Sequence, residues 1–155
     1  MDDVTTRRDD AEGYFFEDLA VGMSANFGKT VTEADILMFS GVSGDTNPVH
    51  LNQVYAEGTR FRGRISHGLL SAGFISAVIG TRLPGPGSIY VSQTLQFKAP
   101  VRPGDTVTAR VSVAGMMPER NRVVLQTRCY VGDRLVIDGE AVILVPSRGA
   151  IASSG

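Results

Sequence analysis

The chain has 155 residues, of which 43% are hydrophobic, and this length and composition predict one domain with its own core. With 15 basic and 16 acidic residues the net charge is −1, which gives no electrostatic reason to expect nucleic acid or an anionic membrane as a partner. The single cysteine, Cys129, excludes an intrachain disulfide, and the longest apolar stretch is shorter than the ~20 residues of a membrane helix, so we expect a soluble cytoplasmic protein.

The two ends of the chain are predicted to be flexible tails. Residues 1–13 are rich in charged side chains and lack the apolar segment of a signal peptide. Residues 147–155 form the second predicted tail. A single domain is therefore expected over residues 14–146.

The first elements of this domain are predicted to be a strand over residues 24–31 and a helix. The helix begins after the capping residue Thr32, and Gly41 and Gly44 end it. Residues 41–50 contain two glycines, an asparagine and a proline, which predict an irregular segment in place of a regular helix.

A long apolar helix is the central predicted element. It follows a short helix over residues 52–58 and a basic loop over residues 59–65, and Ser66 or His67 can cap it. Its body, residues 68–79, is apolar nearly all round, so we expect it to be buried, and its glycines predict that another element packs closely against it.

The rest of the chain is predicted to be antiparallel strands. Alternating apolar side chains and turn residues indicate four of them, with a tight hairpin at Gly132 and Asp133 and with Cys129 as a small buried side chain. The strands cover residues 89–98, 106–113, 122–131 and 134–145. Wrapped around the central helix, they make an α+β fold.

Two side chains in the irregular segment are candidate catalytic groups. Asp45 and His50 are five residues apart, and a chain broken by Pro48 can turn both toward one point, where a carboxylate and an imidazole sharing a water form an acid–base pair. A structural role also fits, because Asp45 could cap a turn and His50 could be a hydrogen-bonded core histidine.

Three further features have both a functional and a structural explanation. Gly68 at the start of the central helix offers a bare N–H for an oxyanion, or it merely allows tight packing. Ser76 lies eight residues later and could line the same cavity, or it bonds its own helix. The loop arginines could hold phosphates or be solvated, and they are Arg60, Arg62 and Arg64.

The segment Asp45-Thr46-Asn47-Pro48-Val49-His50 resembles the signature of the MaoC-like (R)-specific enoyl-CoA hydratases. The resemblance continues through His67-Gly68 at the helix start and through residues 83–90, 97–101 and 104–105, and it spans roughly residues 20–145. Residues 1–19 extend beyond the compact members of the family. Asn52-Gln53 stands where the family often has Asp-Pro, so contacts with coenzyme A could differ there.

The resemblance implies a hotdog fold and a homodimer that hydrates the trans-2 double bond of an acyl thioester without a cofactor or metal. Asp45 and His50 match the catalytic pair, and the Gly68 N–H matches the group that binds the thioester carbonyl. Supporting polar positions match Ser76 and Asn47, and positions that line the acyl tunnel match Ile79 and Val142. The carrier is coenzyme A or acyl-carrier protein.

Three other functions stay open. A hotdog thioesterase would use a carboxylate on or opposite the central helix, yet residues 69–79 contain no Asp or Glu. Asp45, His50 and His67 could instead hold a metal ion as two histidines and a carboxylate. A non-catalytic binder of acyl thioesters is the third alternative.

Overall fold

The structure is a computed structural model, which describes residues 12–149. Its helices are α1 (Glu33–Ser43), α2 (Pro48–Leu51), α3 (Gln53–Glu57) and α4 (Gly68–Thr81). Its strands are β1 (Ser24–Thr30), β2 (Ile89–Phe97), β3 (Thr106–Met117), β4 (Arg122–Val131) and β5 (Arg134–Leu144). No helix among residues 12–149 is long and apolar enough to cross a membrane.

The five strands form one antiparallel sheet in the order β1-β3-β4-β5-β2, and the sheet curls around α4. Every second side chain of β3 points inward and is buried, as the alternation predicted: Val107, Ala109, Val111 and Val113. The hotdog fold that the resemblance implied is therefore confirmed. Cys129 is also buried as predicted, and burial raises the pKa of its thiol to about 12.

Helix α4 fills the inside of the curled sheet with aliphatic and aromatic side chains. Ile75, Val78 and Ile79 are at most 2% exposed and pack in the same core as the inner face of β3. The expectation of close packing holds at Gly68, where the Phe97 ring lies in the position of a side chain, but a Cβ at Gly73 would meet no atom within 4 Å.

The prediction that residues 41–50 are irregular was wrong at both ends. Helix α1 passes through Gly41 and ends only at Gly44, whose left-handed backbone (φ 80°) suits a residue without a side chain. One glycine inside a helix costs only about 1 kcal/mol, too little to stop this one. Pro48 starts the one-turn helix α2, because a missing N–H costs nothing at the first helical position.

Two other boundaries differ from the sequence-based prediction. Strand β3 runs to Met117 and not to residue 113, because a bulge between Val113 and Gly115 shifts the alternation and the pairing with β4 continues beyond it. His67 occupies the capping position of α4, but neither its side chain nor that of Ser66 caps the helix.

The two ends of the described chain lie side by side near the C-terminal end of α4. The Phe16 N–H donates to the Pro146 carbonyl at 2.8 Å, and the Tyr14 N–H donates to the Pro84 carbonyl at 2.7 Å. Arg148 holds both carboxylate oxygens of Asp18, at 2.8 and 2.9 Å. Ordered contacts therefore extend into the segment predicted as a C-terminal tail, whereas residues 1–11 and 150–155 lie outside the described residues.

Candidate active site

Asp45 lies on the turn that follows α1, with its carboxylate held by that turn. Its own N–H donates to Ser43 Oγ at 3.1 Å, and the Asn47 N–H donates to Asp45 Oδ1 at 3.3 Å. The turn-capping role that the sequence left open is thus real, and it uses one carboxylate oxygen while the residue stays exposed. The second oxygen is not committed to that turn.

His50 is held in α2 by the segment that carries the Asp-x-Asn-Pro-x-His pattern. Asn47 caps α2 by accepting a hydrogen bond from the Val49 N–H at 3.1 Å, which explains the asparagine before the proline. His50 Nδ1 lies 2.8 Å from the Ile65 carbonyl oxygen. A carbonyl only accepts, so Nδ1 carries the proton and Nε2 of the neutral ring keeps its lone pair.

The surroundings of His50 favour this neutral form. Burial lowers the pKa of His50, and the Ile65 carbonyl partly offsets that effect by stabilising the protonated ring. The neighbouring His67 ring also lowers the pKa, whereas the Asp45 carboxylate raises it, and the net shift is downward. His50 is therefore poised as a proton acceptor near neutral pH.

Asp45, His50 and His67 come together at one point. One side-chain nitrogen or carboxylate oxygen from each lies within 4.8 Å of the others. A water that donates one hydrogen bond to each of two acceptors spans roughly 4.5–5.5 Å, since each bond is about 2.8 Å long. Asp45 and His50 are thus no farther apart than a single bridging water can span.

The arrangement of the two imidazoles does not favour a shared metal ion. Their rings are stacked, with centroids 3.8 Å apart and planes 30° apart. The lone pair of an imidazole nitrogen lies in its ring plane, and nearly parallel planes do not converge at the ~2.1 Å that a His-bound metal requires. The stack therefore indicates that the two rings pack against each other and restrict each other's orientation.

Gly68 lies beside this cluster at the first position of α4. An N–H at that position has no partner within its helix, and none of the hydrogen bonds among residues 12–149 uses it. A Cβ at Gly68 would lie 2.5 Å from Phe97 Cε1, so no side chain fits without moving the Phe97 ring. Both reasons for a glycine, a bare amide and tight packing, apply at once.

A cavity of about 360 Å³ joins these groups, and Asp45, His50, His67 and Gly68 all line it. Three buried side-chain atoms without a hydrogen-bond partner among the described residues also belong to residues lining this cavity: Ser66 Oγ, His67 Nδ1 and Ser71 Oγ. Buried polar atoms are normally paired, so three unpaired ones mark this end of the core as unusually polar.

Residues 18–133 match the model of a protein family described as the MaoC like domain. The chain belongs to this MaoC-like family. It is 58% identical over 141 residues to an (R)-specific enoyl-CoA hydratase of Rhodospirillum rubrum, covering 91% of this chain and 98% of the relative. It is 52% identical to a 3-hydroxybutyryl-CoA dehydratase of Methylorubrum extorquens, covering 86% and 85%. The solved (R)-hydratase PhaJ1 of Pseudomonas aeruginosa superimposes with a TM-score of 0.82 at 44% identity, covering 88% of each chain.

Several predicted residues of this MaoC-like chain do not lie at the cavity. Ser76 is exposed on α4, because eight residues turn a helix about 80° beyond two full turns, whereas Ser71 lines the cavity. Ile79 is buried in the core, and Val142 is half-buried between the inward-facing Ala141 and Ile143. One chain does not bring Ile79 and Val142 together, because alternate side chains of β5 point to opposite faces of the sheet.

The three loop arginines of this MaoC-like chain have different surroundings. Arg64 is committed, since its guanidinium binds both Glu33 carboxylate oxygens, at 3.0 and 2.6 Å, and the His50 carbonyl at 2.8 Å. Arg62 is exposed, and Arg60 is exposed at the cavity, with its guanidinium 4.9 Å from the Phe61 ring centre. Lys98, which the sequence reasoning missed, lines the same opening and follows directly on the Phe97 that covers Gly68.

Proposed function

We propose that the protein adds water to the double bond of a trans-2-enoyl thioester to give the (R)-3-hydroxyacyl thioester, and catalyses the reverse dehydration. The observation that carries this proposal is the meeting of Asp45 and His50 beside the bare N–H of Gly68 in one cavity. The names of the relatives agree with it, because both curated relatives described above are hydratases or dehydratases of coenzyme A thioesters.

Asp45 and His50 hold the attacking water in this proposal. A carboxylate and a neutral Nε2 are both acceptors, so one water donates a hydrogen to each and leaves its oxygen lone pairs free to attack the β-carbon. One of the pair takes a proton as the C–O bond forms. A proton then passes from the pair to the α-carbon on the same face, and the pair returns to its starting state.

The Gly68 N–H stabilises the charge that develops during the attack. Electrons from the double bond move toward the thioester carbonyl, and its oxygen becomes enolate-like. An N–H at a helix start favours such an oxygen, because the amide lacks another partner and the helix dipole is positive at this end. The stabilisation is larger in the transition state than in the substrate, as catalysis requires.

Coenzyme A is the proposed carrier, and Arg60 and Lys98 at the cavity opening are the proposed phosphate-binding side chains. Arg62 is exposed on the same loop and can add to this positive surface, whereas Arg64 holds Glu33 and the His50 carbonyl and so positions the loop. We expect the double variant Arg60→Ala, Lys98→Ala to raise KM for a coenzyme A thioester. KM for a pantetheine thioester should not change, because pantetheine lacks the phosphates. Equal KM changes for both would contradict the assignment.

A homodimer is part of the proposal, and two exposed surfaces support it. Strand β2 pairs only with β5 among the described strands and exposes Ile89 and Val91 along its open edge. Helix α4 exposes a stripe at spacings of four, three and four residues: Leu69, Gly73, Ser76 and Gly80. We expect Ile89→Arg to shift sedimentation toward the monomer. The matched Val21→Arg, in the exposed turn before the opposite edge strand β1, should leave sedimentation unchanged.

The decisive experiment measures hydration of trans-2-enoyl-CoA substrates over a series of chain lengths. Loss of the conjugated enoyl absorbance without release of free thiol, and formation of the (R)-alcohol, are the expected results. Thiol release would identify a thioesterase, and loss of activity after chelation would identify a metal enzyme. Ile79→Ala and Val142→Ala should extend the accepted chain length if these residues limit the acyl tunnel. A cytoplasmic location stays a prediction.

A further inference from the structure

We propose that His67 is a positioning residue of this reaction, which holds the His50 ring and the Asp45 turn in their reacting arrangement. The proposal rests on the function proposed above. The sequence alone indicates His67 as a helix-start residue or a metal ligand. Its contacts in the structure point to a different role.

The first observation is a hydrogen bond that ties His67 to the catalytic turn. His67 Nε2 lies 2.9 Å from the Asp45 carbonyl oxygen and 3.2 Å from Ser40 Oγ. The carbonyl accepts, so Nε2 carries the proton, and Ser40 Oγ shares it as a second acceptor. One N–H on the residue that precedes α4 therefore joins the end of α1 to the turn that carries the Asp45 carboxylate.

The second observation is the stack of the two imidazoles. The His67 ring lies against the His50 ring with 3.8 Å between centroids, and Phe39 lies against His67 with 4.8 Å between centroids. Within the described part of the chain the His50 ring makes one hydrogen bond, to Ile65, which leaves rotation about that bond possible. The stacked His67 face restricts this rotation and so fixes the direction of the His50 Nε2 lone pair.

The third observation is that His67 itself is not available to substrate. The residue is 2% exposed, and its Nδ1 is buried without a hydrogen-bond partner among the described residues. The hydrogen bond from Nε2 to the Asp45 carbonyl fixes the tautomer and the orientation of the ring. Nδ1 therefore carries a lone pair, which faces no donor within residues 12–149. His67 therefore acts through Asp45 and His50 and does not exchange protons with the reacting atoms.

Two substitutions separate the contributions of His67. His67→Gln keeps an N–H near the Nε2 position and loses the ring, whereas His67→Phe keeps the stacked ring and loses the donor. We expect each to lower kcat about 10-fold with KM within about threefold, because misplaced catalytic groups slow the reaction more than they weaken binding. His67→Ala, which loses both contacts, should lower kcat further.

Ser40→Ala is the matched control. It removes the other acceptor of the same N–H but leaves the Asp45 bond and the stack, so kcat should stay within about twofold. Thermal unfolding of every variant, followed by circular dichroism, identifies those that stay folded at the assay temperature, and a folded Gln or Phe variant suffices for the test.

The outcomes distinguish this inference from the function on which it rests. Full kcat in a folded His67→Gln or a folded His67→Phe protein, with Asp45→Asn inactive, would overturn the role of His67 alone. A fall in Ser40→Ala as large as in the His67 variants would also overturn it, because packing between α1 and α4 would then explain the loss. Full activity in Asp45→Asn would overturn the proposed function itself.

Discussion

The two ends of helix α4 differ in the polarity of their surroundings, although they belong to one 14-residue helix. At the C-terminal half, Ile75, Val78 and Ile79 are buried among aliphatic side chains of the sheet. At the N-terminal end, His67, Gly68 and Ser71 line a cavity and leave polar atoms unpartnered. The apolar end thus contributes to the stability of the fold, and the polar end lines the proposed active site. Because both ends belong to one helix, packing of the apolar end holds the polar end in place.

The largest expected effect belongs to Asp45 and His50, which line the same cavity as the polar end of α4. Asp45→Asn and His50→Ala should each lower kcat at least ~10²-fold, because the water loses one of its two proton acceptors. The two losses should not add in the double variant, since the pair acts as one unit. Steady-state hydration of an enoyl-CoA measures this, with Asp133→Asn on the exposed β4–β5 hairpin as the matched control. Near-normal turnover in a folded single variant would contradict the pair.

A smaller effect is expected at the first residue of the helix. Gly68→Ala places a methyl 2.5 Å from Phe97 Cε1, so the Phe97 ring must move, and we expect kcat/KM to fall about 10-fold. Phe97→Ala makes room for the methyl group, and the double variant should lose less than the sum of the two single variants. Additive losses in this cycle would show that Phe97 is not the cause.

A change at the apolar end should affect stability alone. Ile75 is 1% exposed, and Ile75→Val removes one buried methylene, which typically costs about 0.5–1.5 kcal/mol of unfolding free energy. Urea unfolding measures the loss, and kcat of the folded protein should stay within about twofold. A clear fall in kcat would mean that the two ends of α4 are coupled.

The smallest effect concerns the pH dependence of the polar end. The pKa of His50 is lowered, mainly by burial, so the neutral ring persists below the ordinary histidine value of about 6.5. Activity that needs the Nε2 lone pair is present above the folded-state pKa and lost as pH falls through it, so the acid limb of kcat/KM should lie below that value. The unfolded state binds the proton more readily, and the unfolding free energy should therefore also fall slightly over the same pH range. An acid limb above the ordinary value would contradict the assignment to His50.

The apolar end of α4 and the sheet were predictable from sequence. At the polar end, the contacts of His67 and the place of Ser71 were not. Alternation in β3 and the apolar run of α4 reflect burial, which depends on residue type and spacing. The contacts of His67 depend on where three separate segments meet, and spacing along the chain does not contain that information. Ser71 shows the same limit on a smaller scale, because it lines the cavity of the single chain although the sequence singled out Ser76, whose supporting role stays a prediction.

The paired ends of the described chain have a practical consequence. Arg148 and Asp18 join them at the end of α4 opposite the cavity, about 20 Å away at 1.5 Å per helical residue. A short peptide joining the two ends of the described chain at this corner would therefore lie away from Asp45 and His50. The same geometry makes this corner a suitable anchoring point for attaching the enzyme to a surface or to a partner enzyme with its cavity facing outward.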